Sequence, residues 1–235
     1  MELTSAFVLH HRHFRETSLL VDALTREYGR ISLVARGMRQ QKKRHTNVFQ
    51  LFQPLWLSWY GHGELVTLSQ VETADSAFRL VGKASLCGLY MNELLVRLLP
   101  AQEADSAIYD AYQSALDKLQ QGENEQIVLR LFEKQLLSHL GYGLALTCEA
   151  DSDQSLEEDA LYQYLPESGL QRQFSPNTST SISGRSLRHL EEETGFDATS
   201  LKEIKIMMRT VINFYLGDKP LNSRQLFADL NQLKK

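Results

Sequence analysis

The hydrophobic period of this chain changes once, near residue 80, and that change limits the folds open to it. Before it, apolar residues come in short runs divided by turn residues: Ala6-Phe-Val-Leu-His-His, Thr17 to Leu24, Ile31 to Arg36, Pro54-Leu-Trp-Leu-Ser-Trp-Tyr60 and Glu64 to Glu72. Gly29 in Arg26-Glu-Tyr-Gly-Arg30 and the pair Gly61-His-Gly63 supply turns between them. Runs of this length and punctuation are strands, and two so close together form a hairpin. Five short strands with one long polar, basic loop over Gly37–Thr46 fit a small closed barrel such as the OB-fold.

From residue 83 the spacing is helical. Leu86, Tyr90, Leu94 and Leu98 recur every fourth residue, with Met91, Leu95 and Leu99 beside them, which is the wide stripe of a buried helix ended by Pro100. Ile108, Tyr112, Leu116 and Leu119 mark a second helix, ending near Gly122. Val128, Leu131, Phe132, Leu136 and Leu140 mark a third, closed by Gly141-Tyr-Gly143. Short connections predict antiparallel packing in a bundle. Seven acids and no cation fall between Glu149 and Gly169, in a solvated loop or a short exposed hairpin around Leu161–Leu165. Helices return over Leu187–Glu193, Leu201–Tyr215 and Ser223–Leu233. The fold class expected is α+β: a five-stranded OB-fold barrel over residues 1–78, then a mostly helical bundle domain over 79–235 with an acidic, non-helical insertion at about 144–182.

Charge separates the same two parts. The net charge of the 235 residues is −4, yet residues 1–45 hold nine Lys or Arg against four acids, a net of +5. The remainder nets −9. Such asymmetry points to an N-terminal module that binds a polyanion. Its densest segment is Arg36-Gly-Met-Arg39-Gln-Gln-Lys42-Lys43-Arg44, which repels itself unless an anion neutralises it. With Arg12, these cations are the candidate phosphate contacts. Tyr28, Phe49, Phe52, Trp56, Trp59, Tyr60 and Phe14 are candidate stacking planes; Trp56 and Phe7 are expected to fill the barrel. Lys202, Lys205 and Arg209 form a further cationic stripe, as do Arg130 and Lys134; solvated helix faces are the ordinary cause of both.

Enzyme signatures are missing: no Gly-x-Gly-x-x-Gly after a strand, no phosphate-cradling Gly-Lys-Ser/Thr loop, no Gly-x-Ser-x-Gly elbow. In a strand His11 and His13 share one face while His10 takes the other, and no third ligand type accompanies them, so a polar strand end is preferred to a metal site. Cys87 reads as a core residue. No apolar run is long enough to span a bilayer and the first residues lack a signal peptide's pattern, so a cytoplasmic location is expected.

Several segments together resemble the bacterial recombination mediator family RecO: Glu16-Thr-Ser-Leu-Leu, Gly29-Arg-Ile-Ser-Leu-Val-Ala-Arg-Gly-Met-Arg39, Leu89 to Leu99, Leu129 to Gly143, and Leu216-Gly-Asp-Lys-Pro-Leu-Asn-Ser-Arg-Gln-Leu226. The resemblance implies binding of single- and double-stranded DNA, annealing of complementary strands and, with RecR, loading of RecA onto strands coated by single-strand binding protein (SSB). It further implies that the acidic C-terminal tail of SSB docks on the helical domain. Arg130, with Lys134 beside it, corresponds to the family's anion-contacting position. Some relatives carry a four-cysteine zinc module after the Gly-Tyr-Gly segment. Here only Cys148 stands there, so neither metal nor cofactor is expected. A different class of function, an adaptor whose basic loop docks an acidic protein, fits the charge pattern as well.

Overall fold

The computed structural model describes residues 2–38, 46–150, 152, 154–174 and 180–232. Five strands, β1 (Thr4–Phe14), β2 (Ser18–Thr25), β3 (Gly29–Ala35), β4 (Pro54–Tyr60) and β5 (Leu65–Thr73), close into a barrel in the order β1-β2-β3-β5-β4. All neighbours are antiparallel except β3 and β5. This is the strand order of the OB-fold that the alternating runs predict. Val21, Leu33, Leu55, Leu57 and Val66 meet inside, with Trp59 and Phe49 closing the interior.

β1 departs from simple alternation: Ala6 and Val8 point inward, but Phe7 is also fully buried. Its ring meets Tyr109 and Tyr112 at 5.3 and 5.2 Å. Those tyrosines lie on α2 (Ser106–Gln120), so this strand is covered on both faces, by the barrel interior and by a helix. Phe7 is therefore buried as expected, though outside the barrel. Trp56 is not buried: it is 40% exposed, because it falls on the outward step of β4.

Contacts divide the chain into two compact units, 1–122 with 221–235, and 123–220. In the first, α1 (Lys83–Leu98), α2 and α6 (Asn222–Gln232) belong with the barrel. Asn92 of α1 binds them together, donating to the Leu9 carbonyl at 2.9 Å and accepting from the Tyr112 hydroxyl at 2.6 Å, with Asn92 and Tyr112 both buried. Glu93 accepts from the amides of Asn222 and Ser223, both at 2.8 Å, and so caps the start of α6. Gly29 sits at φ +67° with its missing Cβ position 1.8 Å from the Glu103 carbonyl oxygen, so the β2–β3 turn admits glycine alone.

The second unit contains α3 (Glu125–His139), the strands β6 (Leu161–Leu165), β7 (Gly169–Gln173) and β8 (Ile182–Ser183) in the order β7-β6-β8, then α4 (Gly184–Glu192) and α5 (Ala198–Leu216). The hairpin found in the acidic stretch is not merely exposed: its Tyr162, Tyr164 and Leu170 are buried, while Glu157, Glu158, Asp159 and Glu167 are exposed. α3 packs on α5. An Asp197–Ser200 capping box starts α5.

Candidate nucleic-acid interface

Strand register builds one continuous row on the outside of the barrel. Arg12 lies opposite Leu20, Leu20 opposite Val34, Val34 beside Thr67, and Thr67 opposite Tyr60. Because Val21, Leu33 and Val66 face inward, this row faces outward. It runs around all five strands of the closed barrel, roughly 19 Å along the surface at ordinary strand spacing. One end is the exposed Arg12, the other the 57% exposed ring of Tyr60.

The adjacent row carries Phe14 opposite Ser18 and, one step beyond the Leu19–Ala35 pair, the exposed Arg36. Between the rows and the start of β5 runs a groove of about 740 Å³, lined by Phe14, Arg15, Ser18, Val34, Arg36 and Thr67 among others. The Arg15 guanidinium lies 5.2 Å from the centre of the Phe14 ring. Arg15 holds a left-handed backbone (φ 54°) in the tight β1–β2 corner, a conformation that costs free energy in a non-glycine residue and recurs at ligand sites. Glu16 is the one acid in the lining.

The other N-terminal cations divide by role. Arg26 makes two hydrogen bonds to the Asp110 carboxylate at 3.1 and 2.9 Å, and these hold the Asp110 carboxyl below the usual range. Arg30 donates to the Leu99 carbonyl at 3.0 Å and lies 4.0 Å from Asp22. Both serve the fold. No ion pair joins Arg12 or Arg36 to an acid among the described residues. Arg39, Lys42, Lys43 and Arg44 lie outside the described residues.

Of the candidate stacking residues, Phe49, Phe52 and Trp59 are core, while Tyr28, Trp56 and Tyr60 are exposed and Phe14 is half-buried. His10 faces Asp22 at 3.7 Å, and His11 and His13 take the opposite side of β1. Burial, then the neighbouring His10 and His13, lowers the His11 pKa.

Arg130 and Lys134 are placed differently. Arg130 is only 5% exposed, and its Nη2 lies 2.8 Å from the fully buried Glu133. Its Nε and Nη1 are buried without a hydrogen-bond partner among the described residues. Lys134 donates to the Leu190 and Glu191 carbonyls at 3.0 and 2.9 Å, neutralising the C-terminal end of α4.

Two family models match the chain in series, "Recombination protein O N terminal" over residues 1–77 and "Recombination protein O C terminal" over residues 79–225. The chain belongs to the RecO family. It is 42% identical over 232 residues to the DNA repair protein RecO of Nitrosococcus oceani, covering 98% of this chain and 94% of that one. The DNA repair protein RecO of Coxiella burnetii is 43% identical over 224 residues, covering 95% and 96%. That of Aromatoleum aromaticum is 39% identical over 229 residues, covering 97% and 95%. Membership supports a role in DNA repair and recombination. Among the described residues no helix is long and apolar enough to cross a membrane.

The sequence reading missed Arg15 as part of the groove. Its neighbour Phe14 is among the candidate rings, but only the corner geometry brings the guanidinium over it.

Proposed function

We propose that the outer face of the barrel holds single-stranded DNA, and that this non-enzymatic protein anneals strands in recombinational repair. The observation that carries the reading is the pairing of two outward arginines, Arg12 and Arg36, with a groove whose wall is an aromatic ring. A duplex hides its bases, whereas a single strand can lay phosphates along the cations and turn a base onto Phe14 or Tyr60. Arg39, Lys42, Lys43 and Arg44 extend the phosphate contacts along the basic segment, and duplex DNA is engaged through phosphates alone. Annealing then needs no catalytic group: the cations screen the repulsion between two strands and base pairing drives the reaction.

In this reading the protein works with RecR to load RecA onto SSB-coated strands, and the acidic tail of SSB docks at Arg130, with Lys134 beside it. The two buried, unanswered nitrogens of Arg130 support a carboxylate at that position.

The test is a salt titration of oligonucleotide binding. Arg12→Ala with Arg36→Ala should weaken binding and flatten the slope of log K against log[salt] by about 1.4, near 0.7 for each phosphate contact to a single strand. A slope equal to that of the wild type removes the barrel face from the interface. An acidic peptide that displaces the oligonucleotide and binds more tightly at the same ionic strength favours the adaptor instead.

A further inference from the structure

A cleft of about 1300 Å³ lies within the first unit, between α2 and residues 74–79 of the connection from β5 to α1. It shares no lining residue with the groove beside Arg36. The connection prolongs the antiparallel pairing of β4 with β5 beyond the Leu55–Thr73 pair. The Ala74 amide donates to the Pro54 carbonyl and the Phe78 amide to the Phe52 carbonyl, both at 3.0 Å. Backbone groups of an extended chain alternate in direction, so Ala77 and Arg79 turn the other way, toward α2. The Arg79 amide accordingly donates to Oε1 of Gln120 on α2 at 2.6 Å. That side-chain carbonyl stands where a neighbouring strand's carbonyl would. The N–H and C=O of Ala77 make no hydrogen bond among the described residues. They are the open part of a strand edge.

The facing wall is one side of α2, with Asp110, Gln113, Ser114, Asp117 and Gln120 at helical spacing and all exposed. Arg26 already holds Asp110. Asp117 accepts from the Gln121 side-chain amide, and Asp75 from the Ser76 backbone amide, each at 2.6 Å. Neither meets a Lys or Arg among the described residues. Arg26 and Arg79 are the only cations in the lining, against Asp75, Asp110 and Asp117. From Asp110 to Gln120 the wall runs about 15 Å, room for roughly four or five residues of extended chain.

We infer that this cleft docks an extended segment of a partner protein that carries lysine or arginine. The segment adds as a strand along Ala77, and its cations lie beside Asp75 and Asp117. Backbone hydrogen bonds give such a complex its affinity, and alternate side chains give it selectivity. A lining with more acids than cations disfavours a phosphate chain, so the occupant is a peptide and not nucleic acid. The inference does not rest on the barrel face, and it adds a protein partner to a molecule whose proposed ligand is DNA.

The test titrates an acetylated, amidated heptapeptide of alternating lysine and valine into the full-length protein at low ionic strength. Affinity is read by fluorescence anisotropy, and hydrogen exchange of the Ala77 amide by NMR. That exchange should slow about tenfold on saturation. Two further peptides carry N-methyl groups on alternate amides, one set on each edge. A peptide paired along one edge tolerates one set, so one of the two should bind like the parent and the other about tenfold more weakly. Asp75→Asn with Asp117→Asn keeps both hydrogen-bond acceptors, so the variant should melt with the wild type yet bind the peptide about tenfold more weakly. Unslowed exchange at Ala77, equal binding of the two methylated peptides, or unchanged affinity in the double variant overturns the inference. So does slowing of Ala77 by an oligonucleotide, or by the glutamate–valine counterpart, in place of the basic peptide. Arg12→Ala with Arg36→Ala should bind the peptide as the wild type does, which separates failure of the barrel site from failure of this one.

Discussion

Arg130 and Glu133 are one helical turn apart and both buried, an arrangement in which each charge depends on the other. Removing one partner leaves an uncompensated charge in the interior, so Arg130→Ala should cost about 3 kcal/mol in a denaturant melt. Arg130→Met with Glu133→Leu should recover most of it, since apolar replacement of a buried pair is often neutral. If Arg130 receives the SSB tail, the stable double variant still loses tail-peptide affinity; retained affinity would remove Arg130 from that role. Gly29 is constrained by backbone instead. Gly29→Ala must both hold a positive φ and displace the Glu103 carbonyl, and should lower stability by on the order of 3 kcal/mol. The turn at Gly29 was legible in the sequence, but the approach of residue 103 was not, because 73 residues of chain intervene.

Elements are joined by a few polar contacts whose response to pH can be worked out. Burial alone would raise the Glu93 carboxyl; hydrogen bonds from the Ser223 hydroxyl and from the Ser223 and Asn222 amides outweigh it and leave the group below its ordinary value of 4.5. A lowered carboxylate pKa stabilises the fold above the unfolded value and ceases to do so as pH falls through the folded one. The attachment of α6 is therefore complete at neutral pH and weakens progressively below about pH 4.5. Hydrogen exchange in α6 should rise over that window in the wild type. Glu93→Gln should be less stable by about 1 kcal/mol at pH 7 and should lose the pH dependence. Helix α6 itself was legible from its periodicity between Ser223 and Leu233. Its partner was not, since an i,i+4 stripe says that a face is buried without saying against what.

At the scale of the whole molecule, the end of the chain returns to the unit that contains its beginning. Leu221 is 3% exposed, and α6 packs on α1, so ending the chain at Pro220 should raise hydrogen exchange in α1 and lower the first unit's melting temperature while α3 and α5 keep their protection. Equal loss of protection in both units would refute this. The division drawn at residue 78 and the two family-model matches follow the change of element type. The contacts follow buried surface, and Phe7 with its tyrosine partners carries that surface past the end of the last barrel strand.

The order of residues along the chain was enough to determine the five barrel strands, the helices, the barrel class and the electropositive start, because period and charge are local properties. Only the tertiary structure decided that Arg12 and Arg36 share an outward face while Arg26 and Arg30 are tied into the fold, and that Arg130 is buried. Those outcomes depend on which distant residues come to lie within a few ångströms, a matter of strand register and helix packing that no local pattern specifies.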